Sequence, residues 1–353
     1  MLLLENIPLA PLTTIKIGGP ARYFVEARDI GEVQEAFSYA RSRDLPLFVL
    51  GGGSNLVIAD AGWPGLVLKI AIQGINQVQN SGHDEAGKIL FEAGAGESWD
   101  KFVSHTVMAR CAGVECLSGI PGSVGGTPVQ NVGAYGQEVA ETIASVQVLD
   151  TKDGQVRELC PEACGFSYRS SIFNTSERGR FIVLRVTFAL TPGGKPCIAY
   201  ADLKRHFEGR ETPPNLAETR EAVRHIRARK GMLITPGDPD CLSAGSFFKN
   251  PVLSEVEHED LKQRAAARGL TLPSYPALET RKKVSAAWLV ERSGFAKGFG
   301  FGRVGISTRH ALAIVNRGAA TAADVLALKE QIQHRVEEIW GVRLEPEPVM
   351  VGF

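Results

Sequence analysis

The chain has 353 residues and carries 39 basic against 39 acidic side chains, a formal net charge of zero. That balance gives no global attraction for nucleic acid or a membrane surface, and no stretch reaches the roughly 18 apolar residues of a span, so neither nucleic acid nor membrane insertion is expected. Six cysteines, at 111, 116, 160, 164, 197 and 241, form no CxxC pair and have no histidine at ligand spacing. No metal site is expected, and the sparse cysteine usage points to a reduced, cytoplasmic compartment. The start, Met1-Leu-Leu-Leu-Glu5, lacks the basic region of a signal peptide.

Residues 32–43 read as a short helix, and Pro46 precedes a strand at 47–50 that runs into Gly51-Gly-Gly-Ser-Asn55. Strands follow at 67–70 and 89–92, and Ser98 is placed to cap a helix reaching Arg110. Residues 143–150 and 155–159 flank Thr151-Lys-Asp-Gly154, a hairpin pattern, and 181–190 is strongly strand-like. Helix-forming sequence occupies 216–230, with shorter helices at 261–268 and 286–292 and strands at 304–307 and 312–315. Thr321 and Asp324 begin a long helix to Trp340, in which Val325, Leu328, Ile332, Val336 and Ile339 form a core stripe. A last strand at 342–351 puts Glu345 and Glu347 on one face. The class is α+β.

Two glycine-rich segments can bring backbone N–H groups close to a phosphate: Gly51-Gly-Gly-Ser-Asn55 and Ser118-Gly-Ile-Pro-Gly-Ser-Val-Gly-Gly126, continuing to Gln130-Asn131-Val-Gly-Ala-Tyr-Gly136. Together they favour a nucleotide or dinucleotide ligand. Trp99 stands where Gly94-Ala-Gly96 would need its third glycine for a Rossmann fingerprint, and there is no Walker A loop. Ser243-Ala-Gly-Ser-Phe-Phe-Lys-Asn-Pro251 places the hydroxyl of Ser246, the ammonium of Lys249 and the amide of Asn250 on one short segment able to face a polar ligand. No Gly-x-Ser-x-Gly elbow surrounds Ser246, so it is not read as a hydrolase nucleophile.

With these motifs in order, and with Phe166-Ser-Tyr-Arg-Ser-Ser-Ile-Phe173, His310-Ala-Leu-Ala-Ile-Val-Asn-Arg-Gly318 and Leu344-Glu-Pro-Glu347, the sequence resembles the UDP-N-acetylenolpyruvoylglucosamine reductase family over essentially its whole length. The resemblance implies a two-domain FAD-binding module of the vanillyl-alcohol-oxidase-like (PCMH-type) class with a third α+β substrate-binding domain. The expected division is 1–70 with 340–353 returning to it, 71–214, and 215–339. It implies noncovalent FAD, NADPH as electron source and a UDP-sugar substrate, in peptidoglycan precursor synthesis; a monomer is expected.

The residues expected at FAD are Gly51, Gly52, Gly53, Ser54, Asn55, Gly119, Pro121, Gly122, Ser123, Gly125, Gly126, Asn131, Gly133 and Ala134. Tyr135, Tyr168, Tyr200, Lys230, Lys249 and Asn250 are expected at the substrate; Tyr200 lies in Ala199-Tyr-Ala-Asp-Leu203, which resembles the branch with an extra loop. Arg169 is expected to stabilise developing charge, Ser246 to act as general acid, and Glu347 to hydrogen-bond the same oxygens or orient Arg169. Leu242-Ser243 and Pro348 depart from the common family residues, and Pro348 must avoid a ladder hydrogen bond or lie at an edge. The alternatives are another FAD-dependent oxidoreductase of this architecture and a non-catalytic UDP-sugar-binding protein.

Overall fold

Asp29 accepts a hydrogen bond from Glu32 N and starts the helix Ile30–Ser42, whose Val33, Ala36, Phe37 and Ala40 are buried at helical spacing. This helix belongs to a four-stranded sheet in which Pro20–Ala27, Trp63–Ile70 and Leu47–Leu50 run parallel, with Leu4–Pro8 at the edge. Residues 65–68 are buried without interruption, as expected for a parallel strand covered on both faces. The turn beginning at Gly51 leaves the end of Leu47–Leu50.

A second sheet is antiparallel, in the order Gln155–Leu159, Ile143–Asp150, Phe181–Pro192, Ile89–Gly94 and Ile75–Val78. Its hairpin turns at Gly154, φ +75°, as the sequence predicts. Trp99 and Phe102, from the helix Trp99–Met108, pack with Phe188 in the core. Ser98 holds the N-cap position, but its hydroxyl makes no capping bond.

The computed structural model describes residues 1–78, 87–277 and 280–353. The chain forms two compact units: Met1–Ile7, Ala21–Gly53 and Trp63–Arg229 make the first, and Pro8–Pro20, Ser54–Gly62 and Lys230–Phe353 the second. Both sheets above lie in the first and share one apolar core. There are two units where the division expected from sequence has three domains: 1–70 and 71–214 fall largely in the first, 340–353 lies in the second rather than with 1–70, and further segments are grouped differently. The helix Leu216–Arg229 joins the first unit, because Arg220 and Arg224 pair with Asp100. Residues 8–20 and 54–62 join the second, because Asn316 donates to Ile15 O and Asp60 accepts from Ala322 N and Ala323 N at the start of a long helix.

That helix, Ala322–Trp340, has a capping box from Thr321 and Asp324, and its Val325, Leu328, Ile332 and Val336 are fully buried. Two three-stranded sheets pack with it: Val252–Leu253, Lys282–Val284 and Ser274–Pro276; and Gly300–Phe301, Val304–Ile306 and Ile314–Asn316. The helix expected at 261–268 instead spans Glu255–Ala266, started by a capping box of Ser254 and Glu257. The C-terminal strand expected at 342–351 is only Val349–Val351, parallel to Leu56–Ile58. Pro348 thus lies just outside the ladder that its missing N–H would have broken. All six cysteines are free thiols. Among the described residues no helix is long and apolar enough to cross a membrane, and no group of histidine, cysteine and carboxylate side chains is placed to hold a metal.

Candidate functional site

In the first unit the two glycine segments meet. A Cβ on Gly52 would lie 2.5 Å from Gly122 Cα and 2.8 Å from Ser123 N, and one on Gly51 would lie 2.9 Å from Ser123 Oγ. Gly53, Gly119 and Gly122 have φ of +63°, +71° and +130°, open to glycine at little cost. The second segment is less open than a free nest. Its Gly119 N–H goes to Asp100, Val124 N–H to Glu97 O, Gly125 N–H to Ala95 O and Gly126 N–H to Ser123 O.

The Ser123 hydroxyl is buried without a hydrogen-bond partner among the described residues. A buried unmatched hydroxyl at a cradle with room only for hydrogen on its glycines fits the diphosphate of the implied FAD. Gly52→Ala forces a methyl onto backbone that cannot swing aside, an overpacking worth about 1–3 kcal/mol. The variant is expected to purify with its flavin content reduced about tenfold or more, read from the absorbance ratio of flavin to protein; wild-type flavin content would contradict the cradle.

Also in the first unit, Gly133–Ala134 pairs with Gln137–Glu138, and Tyr135 and Gly136 turn the hairpin with φ of +51° and +89°. Arg169 sits at φ +55° in a tight turn closed by reciprocal Ser167 and Ser170 hydrogen bonds, and its Nη2 donates to Gly133 O at 2.8 Å. Asn131, at φ +44°, gives its amide to Glu138 and Ser167 O and accepts from Ala140 N. The Asn131 side chain therefore braces the loop on protein groups. Three non-glycine residues with positive φ, Asn131 and Tyr135 in this loop and Arg169 bonded to its Gly133 O, concentrate backbone strain here, as is typical of functional loops. Tyr168 lies under the Arg169 guanidinium, and Tyr135 meets Tyr200 edge-to-face at 5.3 Å.

Sequence reasoning missed Asp100 and Arg227. Asp100 accepts from Gly119 N at 2.6 Å, while Arg227 Nε donates to Gly119 O at 3.1 Å. Burial pushes the Asp100 carboxyl up, but hydrogen bonds from Arg220 and Gly119 N–H and the charges of Arg220 and Arg224 hold it below the ordinary aspartate value. Burial draws the Arg227 guanidinium down, opposed by Tyr135 and Asp100. The only sequence signal was an aspartate in the first turn of a helix and arginines at 220, 224 and 227, one face of another.

In the second unit the Ser246 segment is laid against the Glu347 segment. Glu347 N donates to Phe247 O, Phe248 bridges Pro346, and Lys249 N donates to Glu345 O. Phe247 and Phe248, fully buried or nearly so, anchor the segment, and Phe247 N donates to Leu312 O at 2.7 Å. Gly245, at φ +79°, turns the chain before Ser246. No hydrogen bond to a described residue engages the Ser246 hydroxyl.

Lys249 Nζ lies 3.5 Å from Glu345, which is mostly exposed and so points its carboxylate to solvent. Asn250 Oδ1 caps the helix Ala286–Arg292 through Ala286 N, leaving its amide donor for a ligand. Asn55, expected at the cofactor, donates from its side-chain amide to Glu347 O, and its backbone carbonyl accepts from Val349 N. It clips the backbone on both sides of Pro348. Ser54 O accepts from the Thr14 hydroxyl, which also binds Ser243 O, so the Leu242-Ser243 departure is accommodated by backbone contacts. Lys230 begins the second unit's long C-terminal segment.

Comparisons with known proteins agree with these two parts of the chain. A profile described as "FAD binding domain" matches residues 21–159, and one described as "UDP-N-acetylenolpyruvoylglucosamine reductase, C-terminal domain" matches residues 238–351. The UDP-N-acetylenolpyruvoylglucosamine reductase of Thermobifida fusca (strain YX) is 45% identical over 357 residues, 99% of this chain and 98% of that protein. That of Streptomyces coelicolor is 45% identical over 356 residues, 99% of this chain and 90% of that protein. The crystal structure of the Thermus caldophilus reductase covers 99% of this chain and 98% of its own, with a TM-score of 0.64 at 28% identity. The fold is the two-domain FAD-binding module of PCMH type with an additional α+β domain, as expected from sequence. With relatives this similar along its whole length, the chain belongs to the UDP-N-acetylenolpyruvoylglucosamine reductase family.

Proposed function

We propose that the protein is an FAD-containing oxidoreductase that reduces UDP-N-acetyl-3-O-(1-carboxyvinyl)-glucosamine to UDP-N-acetylmuramate, with NADPH as electron donor, in peptidoglycan precursor synthesis. The observation that carries this reading is the full-length similarity to reductases of that name, with the Ser246 and Glu347 segments hydrogen-bonded side by side.

When bound, FAD would supply the redox chemistry, carrying a hydride equivalent from NADPH to the vinyl group of the substrate. The remaining demands of the reaction then fall on the protein. Hydride addition pushes charge onto the substrate carboxylate, and Arg169, pre-set by its strained turn and its bond to Gly133 O, meets that charge with a guanidinium fork. Glu347 supports the same oxygens through its carboxyl group. Ser246 Oγ gives a proton to the adjacent carbon; Lys249, three residues on, supplies positive charge for the resulting alkoxide, which solvent reprotonates. Tyr135, Tyr168, Tyr200, Lys230 and the Asn250 amide hold the substrate. Gly51, Gly52, Gly122 and Ser123 hold the FAD diphosphate, with Gly119 and Gly125 fixing the loop.

Incubation of the purified protein with NADPH and the enolpyruvyl sugar nucleotide tests the reading. Mass spectrometry is expected to find a product heavier by two hydrogens, with one NADPH consumed per product. Flavin-bound protein that oxidises NADPH without that product would overturn the substrate assignment.

A further inference from the structure

Gly119 is held at both ends of one residue by two helices of the first unit. Its N–H donates to Asp100 Oδ1 at 2.6 Å from the helix Trp99–Met108, and its carbonyl accepts from Arg227 Nε at 3.1 Å from the helix Leu216–Arg229. Asp100 is itself bound by Arg220 through both nitrogens, at 2.7 and 2.9 Å, and by Arg224 at 2.8 Å. The fork-to-fork arginine pair ties the helix Leu216–Arg229 to Asp100, and Asp100 Oδ1 is the acceptor that holds Gly119 N–H in place. Gly119 has φ +71°, and three residues on, Gly122 lies where a Cβ on Gly52 would strike it. A rotation at Gly119 is therefore transmitted to the Gly122–Ser123 peptide that faces the Gly51–Gly52 turn.

We infer that Asp100 is a positioning residue for the cofactor loop: its hydrogen bond to Gly119 sets where the Ser123 hydroxyl stands, while its ion pairs with Arg220 and Arg224 tie the two helices together and act on stability. This rests on the proposed FAD-dependent reading. The competing role is that Asp100 only anchors the helix Leu216–Arg229 and acts on stability alone. Asparagine separates the two. Asp100→Asn keeps an oxygen acceptor for Gly119 N–H but loses the ion pairs; Asp100→Ala loses both.

The test is the dissociation constant of FAD, read as flavin fluorescence released on serial dilution of the holoenzyme, beside the melting temperature of each variant. Asp100→Ala is expected to weaken FAD binding about 30-fold or more, the scale of a lost charge-assisted hydrogen bond that leaves a buried N–H unmatched. Asp100→Asn is expected to stay within about threefold of wild type in FAD affinity while melting lower, as the ion pairs are lost. Equal FAD affinities in the two variants, whether unchanged or equally weakened, would overturn the inference. Should the alanine variant not fold, Arg224→Gln keeps it falsifiable: it leaves Asp100 and its Arg220 fork, so FAD affinity is expected within about threefold of wild type. A loss above about tenfold in either Asp100→Asn or Arg224→Gln would then count against the inference. A wild-type protein that holds no flavin would sink the functional reading, not this one alone.

Discussion

Ser246→Ala is expected to leave reduction of the flavin by NADPH near the wild-type rate and to slow its reoxidation by the enolpyruvyl substrate on the order of 10²-fold or more, the scale of a lost placed acid. The structure makes the substitution a clean probe. The segment is held by the buried Phe247 and Phe248 and by backbone bonds from Phe247 to Leu312 and Glu347, none of which uses the serine hydroxyl. A bracing role for Ser246 would predict misfolding or loss of both half-reactions, whereas a proton donor predicts loss of one. Substrate binding should weaken far less than the rate, because the hydroxyl is one contact among those of Arg169, Lys230 and the tyrosines. Stopped-flow traces of the two half-reactions separate the readings. A substrate-dependent rate within about threefold of wild type would assign the proton to water or another group.

Glu347→Gln is expected to have the second large effect, a fall of about 10²–10³-fold in the substrate half-reaction, the range seen when one group stabilising a developing oxyanion is removed. Here too the fold separates structure from chemistry. Glu347 braces its neighbours with its backbone: its N–H binds Phe247 O and its carbonyl binds the Asn55 amide. Glutamine preserves both backbone bonds and the side-chain shape while replacing the carboxyl O–H that would meet the substrate oxygens with a weaker amide donor. Rapid-mixing rates at equal flavin content check it. If glutamine leaves the substrate half-reaction unchanged, Glu347 is a structural residue and Arg169 carries the charge without it.

Much of this was readable from local sequence. The helix Ala322–Trp340 announced itself through Thr321, Asp324 and a buried stripe at helical spacing, and the hairpin at Gly154 through its turn residues. The helix Glu255–Ala266 was read too short because only Leu261 and Ala265 are buried; its polar first half is started by Ser254 and Glu257, a capping box rather than an apolar face. The C-terminal segment was read as a long strand from alternation alone. Two prolines, Pro346 and Pro348, remove ladder donors, so the chain pairs with 247–249 at alternate residues before a short strand begins.

The candidate site was legible where one segment carries it: Ser246, Lys249 and Asn250, or the glycine turns. It was not legible where the partner is far along the chain. Asn55 reads as part of a phosphate turn, and its amide also bonds Glu347 O, 292 residues away. Asp100 reads as a helix first-turn aspartate, yet it serves Gly119 and arginines 120 and 124 residues on. Neither partner follows from periodicity or spacing, which report only on neighbours along one element.

On the proposed function, this flavoprotein passes electrons from NADPH to an enolpyruvyl sugar nucleotide. The most direct measurement is anaerobic: the purified protein is reduced with one equivalent of NADPH, its visible absorbance is followed, and the enolpyruvyl substrate is then added. The account predicts bleaching by NADPH and rapid return of the oxidised flavin spectrum on adding substrate, with UDP-N-acetylmuramate formed in an amount equal to the flavin. A flavin that stays reduced after the substrate is added would contradict it.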